Sequence, residues 1–416
     1  MSRRVFEPLP PRELDARYTD LRRLGSGGAG VVYRATRRSD GRVVAVKRMD
    51  IGTPERRRLA ENDLHMARYL HCQREPASEY CALVPVYDAW TDADGRALNV
   101  EMKYIEGGDG FDVATRAPNL QLPYDTAAFY ALAQRWLESL AATLDAMHEQ
   151  CVLHRDIKPE NLLYERATQR LYLADYGLAC VRPEECRATP TVGTREYIDP
   201  LAVAPRDRRA QPPVTELNAK SDTYSLGVAM YTMLTGQQLV PEEALQTGFP
   251  SLDEYRVYHR AASQQLHRLE DAPAAARARV LFEVVRRMCT PDDAGWRPSL
   301  RAVVQALAQG SLRPLEAEVY TPTDEHDNCL ARGAEPAPDA EHDSEYDSEM
   351  QSDAEEEPPE EREDAQRDRL FVVSRSDTQM TPIRGGAVGG FNSRSSAGSR
   401  RRTGPRFVDQ DRLVDV

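Results

Sequence analysis

His154-Arg155-Asp156-Ile157-Lys158-Pro159-Glu160-Asn161 is the stretch whose reading decides the fold of this chain. It brings together three kinds of side chain with complementary chemistry. Asp156 is a carboxylate able to accept a proton from a hydroxyl. Lys158 is an ammonium able to hold a phosphate. Asn161 presents an amide oxygen of the kind that a hard cation such as Mg²⁺ takes as a ligand.

Upstream, Tyr18 to Leu24 leads into Gly25-Ser26-Gly27-Gly28-Ala29-Gly30, and Val31-Val32-Tyr33 follows. The glycine spacing alone is shared with dinucleotide-binding folds, where the loop opens into a helix. Here β-branched and aromatic residues follow instead and favour a strand. Asp40-Gly41 then supplies a hairpin turn, and Arg42 to Lys47 reads as a third strand. Strand, glycine loop, strand, turn and strand describe a flap of sheet over phosphates, where missing side chains let backbone N–H groups approach an anion. A P-loop is excluded, because Gly30 is followed by Val31 rather than by Lys and Ser or Thr. Pro54 begins a helical stretch, and Ala97 to Met102 reads as a further strand. Between Tyr124 and Gln150 the apolar residues Phe129, Leu132, Trp136, Leu137, Leu140, Leu144 and Met147 fall at helical spacing and predict one buried face. His71 to Pro85 reads as a surface excursion. Downstream come Asp175-Tyr176-Gly177, then Gly193-Thr194-Arg195-Glu196-Tyr197-Ile198-Asp199-Pro200. A polar insert (Val203 to Leu217), Lys220 to Gly227 and Gly295-Trp296-Arg297-Pro298-Ser299 complete the pattern.

These motifs, in this order, resemble the eukaryotic-type protein kinases of the serine/threonine class: the catalytic loop H-R-D-x-x-x-x-N, the glycine loop, V-A-I-K as Val44-Ala45-Val46-Lys47, and D-F-G as Asp175-Tyr176-Gly177. The resemblance covers roughly residues 15 to 312. It implies an α+β, two-lobed fold: a small β-rich lobe (18–102), a hinge (103–108) and a larger helical lobe (109–312), after an N-terminal extension (1–17). It implies ATP and Mg²⁺ as cofactors, and transfer of the γ-phosphate to Ser or Thr hydroxyls of protein substrates. Lys158 within the loop is the serine/threonine-type signature. By the same resemblance Asp156, Lys158 and Lys47 are the catalytic residues, and Asn161 and Asp175 hold the metal. The nucleotide pocket takes Leu24, Gly25, Ser26, Gly27, Gly28, Ala29, Gly30, Val32, Ala45, Lys47, Met102, Tyr104 and Leu163. Glu61 would pair with Lys47, with Glu55 and Asp63 as competitors. Arg155 before the catalytic Asp points to control by phosphate on Thr189 or Thr191. Asp222 would brace the catalytic loop. Two departures stand out. Tyr176 replaces Phe and adds a hydroxyl that needs a partner when buried. Leu201 replaces the glutamate that pairs with the arginine represented by Arg297; Asp199 is the first choice of substitute, ahead of Glu196 and Glu216. The competing reading is a binding module that keeps the fold and has lost transfer. Such proteins typically lack the lysine, the loop Asp or the metal Asp, and all three are present.

The 416 residues carry a net charge of −13, unevenly placed. From Arg313 onward 13 Arg against 25 Asp and Glu give −12, leaving −1 for the preceding 312 residues. The acidity therefore says little about what the main part binds. Residues 313–416 read as a disordered tail, acidic over 335–368 and basic over 375–412, too poor in apolar residues to offset ordering entropy. Nucleic acid is expected as a partner only through the basic patch Arg400-Arg401-Arg402. Seven scattered cysteines without a C-x-x-C pair fit reduced thiols. No apolar run reaches membrane-spanning length, and the first residues lack a signal-peptide core, so an intracellular protein is expected in the cytoplasm or nucleus. Substrates and oligomeric state are not legible.

Overall fold

The computed structural model describes residues 12–27, 30–72, 82–181, 192–203, 214–246, 248–291 and 297–316. The chain divides into residues 1–381 and 382–416, and every described residue belongs to the first unit. The calls on the tail (313–416), apart from residues 313–316, and on Gly28, Ala29, Thr189 and Thr191 lie outside the described residues.

Five antiparallel strands form the first sheet: β1 (Tyr18–Gly27), β2 (Gly30–Arg37), β3 (Val43–Asp50), β4 (Val86–Thr91) and β5 (Ala97–Lys103), in the order β1-β2-β3-β5-β4. The glycine loop joins β1 and β2 as the sequence predicts. The Asp40-Gly41 turn joins β2 and β3, with Gly41 at φ +71, a conformation that glycine adopts without steric cost. Helix α1 (Arg12–Arg17) precedes β1, so the extension read as residues 1–17 includes a helix whose Leu14 is fully buried against Tyr18, Tyr33 and Val46. Helix α2 (Pro54–Cys72) starts on a proline, which suits a first helical position. Its Ala60 packs with Met49, Ile51, Leu98 and Val100 of the sheet.

The second lobe begins with α3 (Gly110–Ala114) and α4 (Ala127–Glu149). All seven apolar residues predicted to share a face of α4 are buried. Strands β6 (Leu162–Glu165) and β7 (Arg170–Leu173) form a hairpin. It joins the hinge, where Gly107 donates to the Tyr164 carbonyl at 2.9 Å and Tyr164 donates to Gly108 at 2.8 Å. Helices α5 (Pro200–Val203), α6 (Val214–Thr235), α7 (Glu242–Leu245), α8 (Leu252–Glu270), α9 (Arg279–Met288), α10 (Leu300–Gln309) and α11 (Arg313–Glu316) complete the lobe. Helix α6 is buried all round from Asp222 to Leu234, as a helix at the centre of a lobe must be. It begins at Val214, so the insert read as ending at Leu217 gives up its last residues to the helix. Cys289 is a buried free thiol, whereas Cys151 and Cys180 are disulfide-bonded, which corrects the reading of all the cysteines as reduced. The backbone makes this close approach, because Leu153 and Cys180 exchange hydrogen bonds at 2.9 and 3.0 Å.

Candidate active site

Sheet register fixes one wall of the cleft. Val32 lies opposite Lys47, and Ala45 lies opposite Met102. Cross-strand partners share a face, and so do residues two apart along a strand. Val32, Ala45, Lys47 and Met102 therefore line the same face. Met102 also packs with Leu163 around Val84, Ile105 and Tyr172, so the back wall and the floor from the second lobe meet there. Of the other expected pocket residues, Gly25 and Ser26 pair with Val32 and Val31, and Gly27 pairs with Gly30. Tyr104 lies under the Arg34 guanidinium at 5.6 Å, and Leu24 is half exposed. Gly30 has φ +124, and a Cβ there would run into the Arg48 carbonyl. Gly30 can lie this close to β3 only because that atom is missing.

Lys47 is buried and joins two carboxylates. Its Nζ lies 2.7 Å from Asp63 Oδ2 and 3.2 Å from Asp175 Oδ1. Burial alone depresses an ammonium, but Asp175 and Asp63 outweigh it and push the Lys47 pKa up, so the side chain is charged. Asp63, not Glu61, thus takes the helix position opposite the lysine. Glu61 points to solvent and sits 3.6 Å from Arg57. The reason is helical geometry, since residues two apart lie on opposite sides and only one can face the sheet. Glu55, the other competitor, is exposed in the first turn of α2.

The loop from His154 to Asn161 is tied from behind. Asp222 accepts from the N–H groups of His154 and Arg155, each at 2.9 Å, and lies 2.8 Å from His148 Nε2. Burial opposes ionisation of Asp222, yet His148, His154 and the backbone donors hold its carboxyl below the usual range. Arg155 is itself partly buried, and desolvation lowers its guanidinium to about 10. In front, the Asp156 carboxylate accepts from Thr194 Oγ1 at 2.7 Å, Lys158 Nζ at 2.8 Å and Asn161 Nδ2 at 3.2 Å. Lys158 also donates to Thr194 at 2.8 Å. Asn161 directs the same Nδ2 to the Asp156 carbonyl at 2.8 Å, which leaves its amide oxygen for another role.

Asp175 adopts φ +67, a left-handed turn uncommon for a residue with a side chain. Burial works to raise its carboxyl, but Lys47 and Lys158 hold it below the usual range. The Tyr176 hydroxyl, whose partner was open in the sequence, donates to the Leu173 carbonyl at 2.8 Å. Asn62, which sequence reading passed over, directs its amide at the carbonyls of Tyr176, Gly177 and Ala179 at 3.3, 3.1 and 2.8 Å. Among the described residues no group of three or more His, Cys, Asp and Glu could hold a metal by itself. One carboxylate and one amide oxygen, Asp175 and Asn161, nonetheless fit a hard divalent cation that takes its remaining oxygens from phosphates and water.

A β-lobe and a helical lobe that bring together glycine-rich strands, a buried lysine–carboxylate pair and a neighbouring Asp and Asn offer groups suited to phosphates and a hard divalent cation. The chain belongs to the protein kinase family, whose domain matches residues 18–307. It is 30% identical over 302 residues to serine/threonine-protein kinase pkn2 of Myxococcus xanthus, covering 71% of this chain and 32% of that protein. It is 33% identical over 251 residues to serine/threonine-protein kinase PknL of Mycobacterium bovis, covering 59% of this chain and 56% of that one. Serine/threonine-protein kinase PAK 5 of Rattus norvegicus is 31% identical over 235 residues, 56% of this chain and 28% of its own length. The chain thus spans between about a third and somewhat over half of the first two of these relatives.

Proposed function

We propose that this chain is a serine/threonine protein kinase that transfers the γ-phosphate of Mg²⁺-ATP to hydroxyls of protein substrates. One observation carries the reading: the Asp156 carboxylate is gripped by Thr194, Lys158 and Asn161, beside a Lys47 bonded to both Asp63 and Asp175. When bound, ATP and its metal supply the phosphoryl group and neutralise part of its charge. The chain's own residues do the positioning. Asp156, fixed by three donors, aims an oxygen at the incoming hydroxyl and takes its proton. Lys158 stands 2.8 Å from that carboxylate, where its charge faces the moving phosphate. Asp175 and Asn161 offer the oxygens that suit Mg²⁺. Lys47, kept charged and immobile, holds the nucleotide's inner phosphates. Catalysis of this kind is mostly orientation and preorganised charge.

Transfer of labelled phosphate onto a peptide library tests the reading. Asp156→Asn should leave ATP binding nearly intact and lower turnover by roughly 10²-fold or more. Lys47→Met should abolish transfer. Label appearing mainly on tyrosine would overturn the Ser/Thr assignment. Equal activity of parent and both variants would overturn the catalytic one.

A further inference from the structure

The residue opposite Lys47 is an aspartate, one methylene shorter than the glutamate that the sequence reading placed there. Its two oxygens are both committed. Oδ2 accepts from Lys47 at 2.7 Å, and Oδ1 accepts from the Tyr176 N–H at 2.7 Å. A short side chain can reach both only if α2 lies close to the segment after Asp175. Asn62, the preceding residue of α2, supplies a tie at that place. Its Nδ2 carries two N–H bonds and faces three carbonyls, those of Ala179 at 2.8 Å, Gly177 at 3.1 Å and Tyr176 at 3.3 Å. The segment is a tight turn, in which the Ala179 N–H donates to the Tyr176 carbonyl at 2.9 Å. Its carbonyls therefore converge on one point, and that point is occupied by the Asn62 amide.

The turn begins at Asp175, whose φ of +67 costs energy for any residue with a Cβ and persists only where the surroundings hold it. Among the ties that hold it are the Lys47 ion pair, the Asp63 bond to Tyr176 and the Asn62 bonds to the three carbonyls. The first two engage the side chain of Asp175 and the N–H of the next residue. The third engages the carbonyl side of the turn, where the Ala179 N–H also meets the Tyr176 carbonyl.

From this juxtaposition we infer that Asn62 is a positioning residue for phosphoryl transfer, which acts through the backbone of Tyr176, Gly177 and Ala179 to aim the Asp175 carboxylate, and which allows the short Asp63 to serve opposite Lys47. The inference rests on the kinase reading. It deepens that reading by naming a residue that touches neither nucleotide nor substrate and yet sets where the metal-binding carboxylate stands.

The test uses the full chain. Asn62→Asp keeps the shape and removes the donors, Asn62→Ala removes the side chain, and Asn62→Gln keeps an amide. Turnover and KM for ATP are measured together with deuterium uptake over residues 173–181. Asn62→Asp and Asn62→Ala should lower kcat by about 10-fold or more, leave KM for ATP within about threefold and raise uptake over 173–181. Asn62→Gln should recover most of the loss. In an Asp63→Glu background, where the longer carboxylate lets α2 stand further off, Asn62→Ala should cost less than in the parent, which makes the two sites non-additive. A kcat within about twofold of the parent and unchanged uptake would overturn the inference. So would a loss of activity accompanied by raised uptake across the whole domain, which marks general destabilisation. A parent chain that transfers no phosphate overturns the kinase reading instead. The uptake comparison then still decides whether Asn62 holds the turn.

Discussion

Arg297 shows how one residue can keep its environment after its expected partner is gone. Its side chain is buried, and two guanidinium nitrogens meet the Asp199 carboxylate at 2.6 and 2.7 Å. Its Nε donates to the Thr290 carbonyl at 2.7 Å, and its Cζ lies 4.8 Å from the centre of the Tyr224 ring. Asp199 is completed by Ser221 Oγ at 2.8 Å and the Leu201 N–H at 2.9 Å. The carboxylate has moved two positions back along the chain, and Leu201 needs no charge. Removing one partner of such a pair leaves an uncompensated buried charge, so Asp199→Ala should destabilise the domain by about 3 kcal/mol or more. Leu201→Glu should change stability by less than about 1 kcal/mol. Denaturant melts of the two variants check both outcomes. This substitution was legible, because the sequence contains an arginine without its glutamate and a carboxylate nearby. The Lys47 partner was harder to read. Glu61 has the expected chemistry and Asp63 is the competitor, and the deciding signal is periodicity: Ala60, Asp63, Met66 and Leu70 share one stripe of α2, and all four are buried. Asn62 carried no such signal, since its partners are backbone carbonyls more than a hundred residues away, and any residue type supplies a carbonyl.

Elements are joined to the site by their backbones as much as by side chains. Asp222 lies in α6, the central helix, and accepts from two consecutive N–H groups, those of His154 and Arg155. Its carboxyl is held below its ordinary value near 3.8, because His148 and the loop donors outweigh the effect of burial. A depressed carboxyl contributes stability that is present above its unfolded pKa and is lost as pH falls through its folded one. The parent should therefore lose this contribution on acidification below about pH 4. Asp222→Asn should be less stable at pH 7 by about 2 kcal/mol and should show a shallower acid slope. Thermal melts between pH 7 and pH 3 measure both. Helix α4 and strands β1, β2, β3 and β5 were readable from sequence, α4 because burial of one face imposes a period on its residues, whereas β4 was not read and α6, buried on every side from Asp222 to Leu234, carries no such period. The boundaries were less so: α6 begins inside a stretch that reads as a polar insert, and α1 lies within a stretch that reads as an extension. In both cases short-range composition points to a loop, and in α1 the buried Leu14 packs the helix against the sheet.

At the scale of the molecule, charge and core occupy different parts of the chain. Residues 317–416 carry −12, and the remaining residues carry −1. The family match ends at 307, and the described core extends slightly further. Helix α11 hydrogen-bonds back to Leu312 through Leu315 and Glu316 at 3.0 and 3.3 Å, and Leu315 is buried in the main core. No helix among the described residues is long and apolar enough to cross a membrane. Two truncations therefore separate roles that one would confuse. A chain ending at Glu316 keeps every described core residue and should retain kcat within about twofold and melt within about 2 °C of the parent. It should also associate at lower concentration, because a surface near neutrality has lost the repulsion that keeps chains apart. A chain ending at Leu312 loses the buried Leu315 as well. Burial of a leucine is worth roughly 1.5–3 kcal/mol, so this second chain should melt several degrees lower at similar specific activity. Equal melting of the two would place the edge of the domain at Leu312. A loss of transfer on cutting at Glu316 would make residues 317–416 part of the catalytic unit.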